Sequence, residues 1–322
     1  MIELIALFAI AAAIYMGWNL GSNDAANCIG TAVGGGIITL RRALILVGVF
    51  ALLGAIIGGG QVIQTIKGEV IQEKNITPLV ATIAYISAGV FVMASTYLKL
   101  PVSTTHAIVG AMIGLGFAMG VQINWGTIGE MGIVWVTTPT FALLLGFVIY
   151  KYFKKAMRRV KKPATANLIL KIAVIASGCY AAYSLGANNI GNAVGLITVK
   201  NFADIIAPAV AVIIGGIAIL IGVVTWGGKV IETVGKNMTE IDPAMAFAAQ
   251  LSIAILLFFF SIVGMPTSAS HAIVGAVMGV GFVKGTSAVN LKLARNIFLT
   301  WILTPIVAAL IAFGAFKVIG LF

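Results

Sequence analysis

Apolar positions in this 322-residue chain gather into long, nearly unbroken runs, at residues 2–20, 43–66, 79–98, 133–150, 168–185, 205–226, 244–263 and 297–319. Each is close to the ~20 residues a helix needs to cross the hydrocarbon core of a bilayer. Gly, Ser and Thr within them suit close helix packing in lipid. Two kinds of polar interruption break the pattern. Gly21-Ser-Asn-Asp24 ends the first run with a glycine and three polar groups. Pro101-Val-Ser-Thr-Thr-His106 opens with a proline, which suits a first helical turn, and is followed by a Gly-rich apolar stretch at 107–120. That stretch is short for a span and suited to one arm of a re-entrant hairpin. The pattern predicts an all-α polytopic membrane protein with broken helices and re-entrant hairpins, about 10–12 membrane segments in all.

The interruptions recur. Pro101-Val-Ser-Thr-Thr-His-Ala-Ile-Val-Gly110 returns as Pro266-Thr-Ser-Ala-Ser-His-Ala-Ile-Val-Gly275, and 12 of the 20 positions at 101–120 are identical 165 residues later. Leu20-Gly-Ser-Asn-Asp-Ala-Ala-Asn27 returns as Leu185-Gly-Ala-Asn-Asn-Ile-Gly-Asn192 at the same offset. Weaker echoes pair 59–66 with 227–234, which makes Gln64 and Glu232 equivalent, and Trp135-Val-Thr-Thr-Pro139 with Trp301-Ile-Leu-Thr-Pro305. Preserved order and spacing point to duplication. The chain divides into a first transmembrane repeat at 1–150, a basic linker at 151–164 and a second repeat at 165–322. Matching interrupted segments in two halves are the sequence signature of a transporter site.

Composition supports the membrane reading. The chain is 61% hydrophobic and 9% charged, against about a quarter charged in soluble domains. The net charge of +11 does not indicate nucleic acid, because Lys151, Lys154, Lys155, Arg158, Arg159, Lys161 and Lys162 concentrate in one loop between spans. Such a loop is expected to be cytoplasmic. Both ends are poor in basic residues, which predicts termini outside, an odd number of crossings per half and therefore inverted-topology repeats. Glu3 and the polar motif at the end of the first run argue against a cleaved signal peptide. Cys28 and Cys179 read as packing residues.

Asp24 is the acidic residue placed most clearly within a membrane-depth motif. A carboxylate there is costly and marks function. Neither motif pair contains Lys or Arg, so an anion would be held by helix N-terminal N–H groups and hydroxyls. Na⁺ or H⁺ on Asp24, with the amide oxygens of Asn23, Asn27, Asn188 and Asn192, would neutralise the site and couple the two ligands. His106 and His271 are the only histidines and occupy equivalent places, which points to a structural hydrogen bond inside each hairpin, with proton handling or substrate contact as the alternative readings.

These motifs resemble those of the inorganic phosphate transporter (PiT) family. Gly21-Ser-Asn-Asp-Ala-Ala-Asn27 and Gly186-Ala-Asn-Asn-Ile-Gly-Asn192 are similar to its twice-present signature. Pro101–His106 and, more loosely, Pro266–His271 are similar to its hairpin motif. The resemblance spans essentially the whole chain, including Gly228-Lys-Val-Ile-Glu-Thr-Val-Gly235 and Thr239-Glu-Ile-Asp-Pro243. It implies an inverted-repeat, dimeric membrane protein that moves inorganic phosphate with Na⁺ or H⁺ and needs no other cofactor. By motif position, Ser103, Thr104, Thr105, Thr267, Ser268 and Ser270, with Asn23 and Asn188, would bind phosphate. Asp24, Asn27, Asn189 and Asn192 would serve the cation, with Na⁺ at Asp24, Asn27 and Asn192. The chain departs from the pattern at Asn189, where many members carry aspartate, at Ala269-Ser270 in place of two threonines, and at Ala51 after Phe50, where eukaryotic members carry glutamate. It keeps only the basic linker between the halves, which resembles prokaryotic members and a plasma-membrane setting.

The competing readings are a sulfate permease of the same fold and a passive anion channel. An intramembrane hydrolase fits poorly, since the place equivalent to Asp24 holds Asn189 and no Gly-x-Ser-x-Gly elbow is present.

Overall fold

The computed structural model describes residues 2–34, 36–228 and 238–320; of residues 2, 25–27 and 34 only the backbone is described. Most of the predicted echo at 227–234, with Glu232, lies outside the described residues. The described elements are α1 (Ile2–Gly34), α2 (Leu40–Gly58), α3 (Gly60–Gly68), α4 (Pro78–Tyr97), α5 (Thr104–Met119), α6 (Trp125–Met157), α7 (Pro163–Val194), α8 (Pro208–Trp226), α9 (Pro243–Val263), α10 (Ala269–Phe282) and α11 (Leu291–Ile319), joined by short 3₁₀ turns. Among the described residues, eight helices are long and apolar enough to cross a membrane, and α5 and α10 are shorter apolar helices. The protein is an all-helical, multi-pass membrane protein.

Local chemistry sets the helix ends. Thr77, Asn124, Asp242 and Asn290 each accept a hydrogen bond from a backbone N–H three residues on, which satisfies a donor left open in the first turn. Pro78, Pro163, Pro208 and Pro243 open their helices, where a missing N–H costs nothing. Seven residues of the basic stretch, 151–157, continue α6, and only 158–162 connect it to α7. The helix runs on through these seven residues because they include no Gly or Pro to break it. Lys151 and Lys154 lie back over the rings of Phe147 and Tyr150.

The two halves repeat one element order, and their contacts are reciprocal. Gly21 of α1 sits against the Ile219 carbonyl of α8, while its counterpart Gly186 of α7 sits against the Ala51 carbonyl of α2. Gly110 and Gly114 of α5 lie against Pro305 and Ala309 of α11, and Gly275 and Gly279 of α10 against Pro139 and Leu143 of α6. At each of these six glycines a Cβ would overlap a backbone oxygen. Each half therefore interlocks with the other through the same surface, the mark of a two-fold relation.

The sequence motifs are placed differently from one another. The helices break at the proline motifs: α4 stops at Tyr97, α5 starts at Thr104, and the equivalent break separates α9 from α10. Lys99 (φ 59°) and Gly264 (φ 80°), 165 residues apart, both take the left-handed conformation that turns the chain. By contrast, α1 and α7 run unbroken through Gly21–Asp24 and Gly186–Asn189, where the apolar run was expected to end. The polar side chains there are satisfied without breaking the helix. Ser22 Oγ donates to the Trp18 carbonyl at 2.7 Å and Asn189 Nδ2 to the Leu185 carbonyl at 3.3 Å, each one turn back. Gly21 and Gly186 serve close approach instead of a break.

Candidate substrate and ion site

The two half-helices α5 and α10 meet at their N-termini in the middle of the bundle. Ser103 and Ser268 cap them, accepting from the N–H of His106 and His271 at 3.2 and 3.3 Å. The His106 and His271 rings stand edge to face, 4.6 Å between centroids. Each donates from Nδ1 to a carbonyl of the opposite half: His106 to Trp301 at 3.1 Å and His271 to Trp135 at 2.9 Å. Because a carbonyl can only accept, both Nδ1 atoms carry the proton. The structure thus gives both histidines a hydrogen bond across the two-fold, between a half-helix and a helix of the other half, where a bond within each hairpin was expected.

The segments leading into the half-helices are held by one asparagine each. Asn23 Oδ1 accepts from Val102 N at 3.2 Å, and its Nδ2 donates to Thr96 Oγ1 and the Leu100 carbonyl at 2.8 and 3.2 Å. Asn188 does the same in the second half, accepting from Thr267 N at 2.9 Å and donating to the Met265 carbonyl at 3.1 Å. Non-helical backbone at membrane depth must find such partners. Expected as phosphate ligands, Asn23 and Asn188 are occupied in this structure as anchors of the extended segments.

The remaining polar groups converge between these anchors. Thr104 Oγ1 donates to Asp24 Oδ2 at 2.9 Å. Thr105 Oγ1 lies 3.1 Å from the Thr267 carbonyl, across the two-fold, and accepts from Asn192 Nδ2 at 2.9 Å. Asn192 Nδ2 also donates to Asn189 Oδ1 at 3.0 Å. Ser268 and Ser270 share a hydrogen bond of 3.0 Å. Ser103, Thr104, Thr105, Thr267, Ser268, Ser270, Asp24, Asn189 and Asn192 are all buried, and Asp24 is the one Asp, Glu, Lys or Arg among the described buried residues. The side chain of Asn27, expected at the cation, lies outside the described residues. Asn192 Oδ1 is buried without a hydrogen-bond partner, an oxygen lone pair of the kind a hard cation takes.

One participant was not singled out from sequence. Thr138 Oγ1, on α6, is 2.8 Å from Thr267 Oγ1, and the repeated Trp-x-x-Thr-Pro motif carried the signal. Gln250, fully buried on α9, takes a 2.8 Å hydrogen bond from Ser177, apart from these groups. Cys28 is buried, Cys179 half-buried, and both are free.

Half-helix ends facing one another at the centre of a membrane bundle, with hydroxyls and one carboxylate between them, define a membrane transport protein. The chain belongs to the phosphate transporter family, whose profile matches residues 20–170 and 155–312. A Pyrococcus furiosus protein named "Putative phosphate permease" is 30% identical over 97% of this chain and 96% of its own length. The chloroplastic inorganic phosphate transporter 2-1 of Arabidopsis thaliana is 27% identical over 96% of this chain and 71% of its own. A solved structure described as the sodium-dependent phosphate transporter superposes with a TM-score of 0.90, at 28% identity over 99% of this chain and all of that one.

Proposed function

We propose that the protein imports inorganic phosphate across the plasma membrane by symport with Na⁺ or H⁺. The observation that carries this reading is a buried carboxylate, Asp24, hydrogen-bonded to a hydroxyl at the very end of a half-helix. The N-terminal ends of α5 and α10 and the hydroxyls of Ser103, Thr105, Thr267, Ser268 and Ser270 suit an oxyanion. An oxyanion beside an unneutralised carboxylate is repelled, so a cation on Asp24 must accompany it. Asn192 Oδ1 and the Thr104 hydroxyl oxygen would complete that cation's shell. Binding of each ligand then favours the other, which is the coupling symport needs. Sodium is the first cation to try, in keeping with the solved neighbour. The site residues are buried, so release on either side requires the bundle to open alternately. We further propose that the two-fold axis lies in the membrane plane, with the 158–162 connection cytoplasmic.

The test is uptake of labelled phosphate into liposomes holding the purified protein, under imposed Na⁺ or proton gradients and with sulfate as competitor. Concentrative phosphate uptake that collapses with the cation gradient is expected. Uptake indifferent to both gradients excludes symport, and uptake abolished by equimolar sulfate turns the reading to a sulfate permease.

A further inference from the structure

We infer that this chain carries a single protein-built cation site, on Asp24 and Thr104, and that the equivalent place in the second half is taken up by its own neutral hydrogen bonds; the inference rests on the symport reading above. The chain supplies the comparison itself. At the offset of 165, Asp24 corresponds to Asn189 and Thr104 to Ala269. The charge and the hydroxyl that binds it are thus lost together, while their surroundings are kept. Asn188 still anchors its segment as Asn23 does, Ser268 still caps as Ser103 does, and His271 still mirrors His106.

What replaces the pair is a neutral hydrogen-bonded network around Asn189. Asn189 Oδ1 accepts from Asn192 Nδ2 at 3.0 Å and lies 3.4 Å from Thr105 Oγ1. Asn189 Nδ2 donates to the Leu185 carbonyl. A hard cation needs oxygen ligands that are not already committed and negative charge to offset its burial. The second place has no charge, since Asp24 is the one carboxylate among the described buried residues, and its one open amide oxygen, Asn192 Oδ1, is the one assigned above to the Asp24 cation. The lopsided site is therefore a coupling device: one cation travels with each phosphate. A corollary is that Asn189→Asp with Ala269→Thr rebuilds a second site.

The ratio is read from phosphate accumulation in liposomes at clamped zero membrane potential. With n coupled cations, accumulation rises as the n-th power of the cation gradient, by linkage. Na⁺ and pH gradients are imposed separately and the two exponents are added. For the native chain a total exponent of one is expected, so that an approximately tenfold gradient gives an approximately tenfold accumulation. The Asn189→Asp/Ala269→Thr variant is expected to add one to the exponent. A native exponent of two or more overturns the single site while leaving symport standing. An exponent of zero for both cations overturns symport itself. Should the double variant fail to fold, the native exponent decides alone; should it fold with an unchanged exponent, the reasoning from Asn189 and Ala269 is wrong.

Discussion

Asp24 and Asn189 occupy equivalent places on α1 and α7, and the chain has in effect already made the substitution that tests the first of them. An amide is accommodated at the second place with its hydrogen bonds satisfied, so Asp24→Asn is expected to fold with an unchanged melting temperature. Phosphate affinity should then lose its dependence on the cation, an effect of about 5–150-fold in coupled sites. Equilibrium phosphate binding with and without cation measures it, and a retained cation effect would return Asp24 to a capping or packing role. Asn188 makes the opposite case. It anchors residues 265 and 267 by backbone bonds, and Asn188→Ala leaves buried backbone groups unpaired at about 1–3 kcal/mol each. A clear drop in thermal stability in detergent is the expected result, where removal of a residue serving only as a ligand would leave stability unmoved. The sequence made both residues visible as polar groups in apolar surroundings. It could not separate anchor from ligand, because that depends on which carbonyl a side-chain amide meets across the bundle, and residues 23 and 102 are far apart in the chain.

At the scale of elements, the repeat motifs revealed which segments matter but not how each behaves. Pro101 and Pro266 do not open helices, as their sequence suggested; they sit in the extended segments between α4 and α5 and between α9 and α10, where a missing N–H and a fixed φ keep a helix from continuing. The break at these positions was legible for that reason. Gly21 and Gly186 looked like breaks for the same statistical reason and are not, since each is a point of backbone contact between helices. Such contacts are set by partner helices distant in sequence, α8 for one and α2 for the other, which no local pattern encodes. Gly186→Ala should therefore destabilise the α2–α7 pair by about 1–3 kcal/mol through overpacking. Gly129→Ala is the matched control, because a Cβ there meets nothing within 4 Å. A thermal-shift comparison of the two decides it, and equal stability would mean that the helices can part at no cost. One latch ties α6 of the first half to two residues of the second. Tyr150 donates to Asp242 Oδ2 at 2.9 Å, and Lys284 lies 3.4 Å from the same oxygen. The first-half equivalents of Asp242 and Lys284 are Thr77 and Met119, so the halves differ in how firmly the ends of α6, α9 and α10 are tied.

For the whole molecule, the contacts fix a two-fold relation, and the crossing number decides how that axis lies relative to the membrane. The Ile71–Ile123 bridge and the Asn124 N to Val70 carbonyl bond at 3.0 Å place the end of α3 and the start of α6 on one face. The chain leaves that face along α4 and returns to it along α5, so the pair makes no net crossing. What remains in the first half is α1, α2 with α3, and α6: three crossings, an odd number. An odd number would put equivalent residues on opposite faces, and in the proposed topology the basic connection at 158–162 lies on the inner one. Trp125 and Leu291 open the equivalent helices α6 and α11, and both are more than half exposed. In a background with Cys28 and Cys179 replaced by alanine, Trp125→Cys should react with a membrane-impermeant thiol reagent on intact cells. Leu291→Cys and Lys161→Cys should react only after permeabilisation. Labelling of 125 and 291 from the same side would make the repeats parallel. The two mouths of the transport path would then no longer be related by the two-fold that joins α5 to α10, and the simplest account of alternating access, in which each half performs on one face what its counterpart performs on the other, would fail with it.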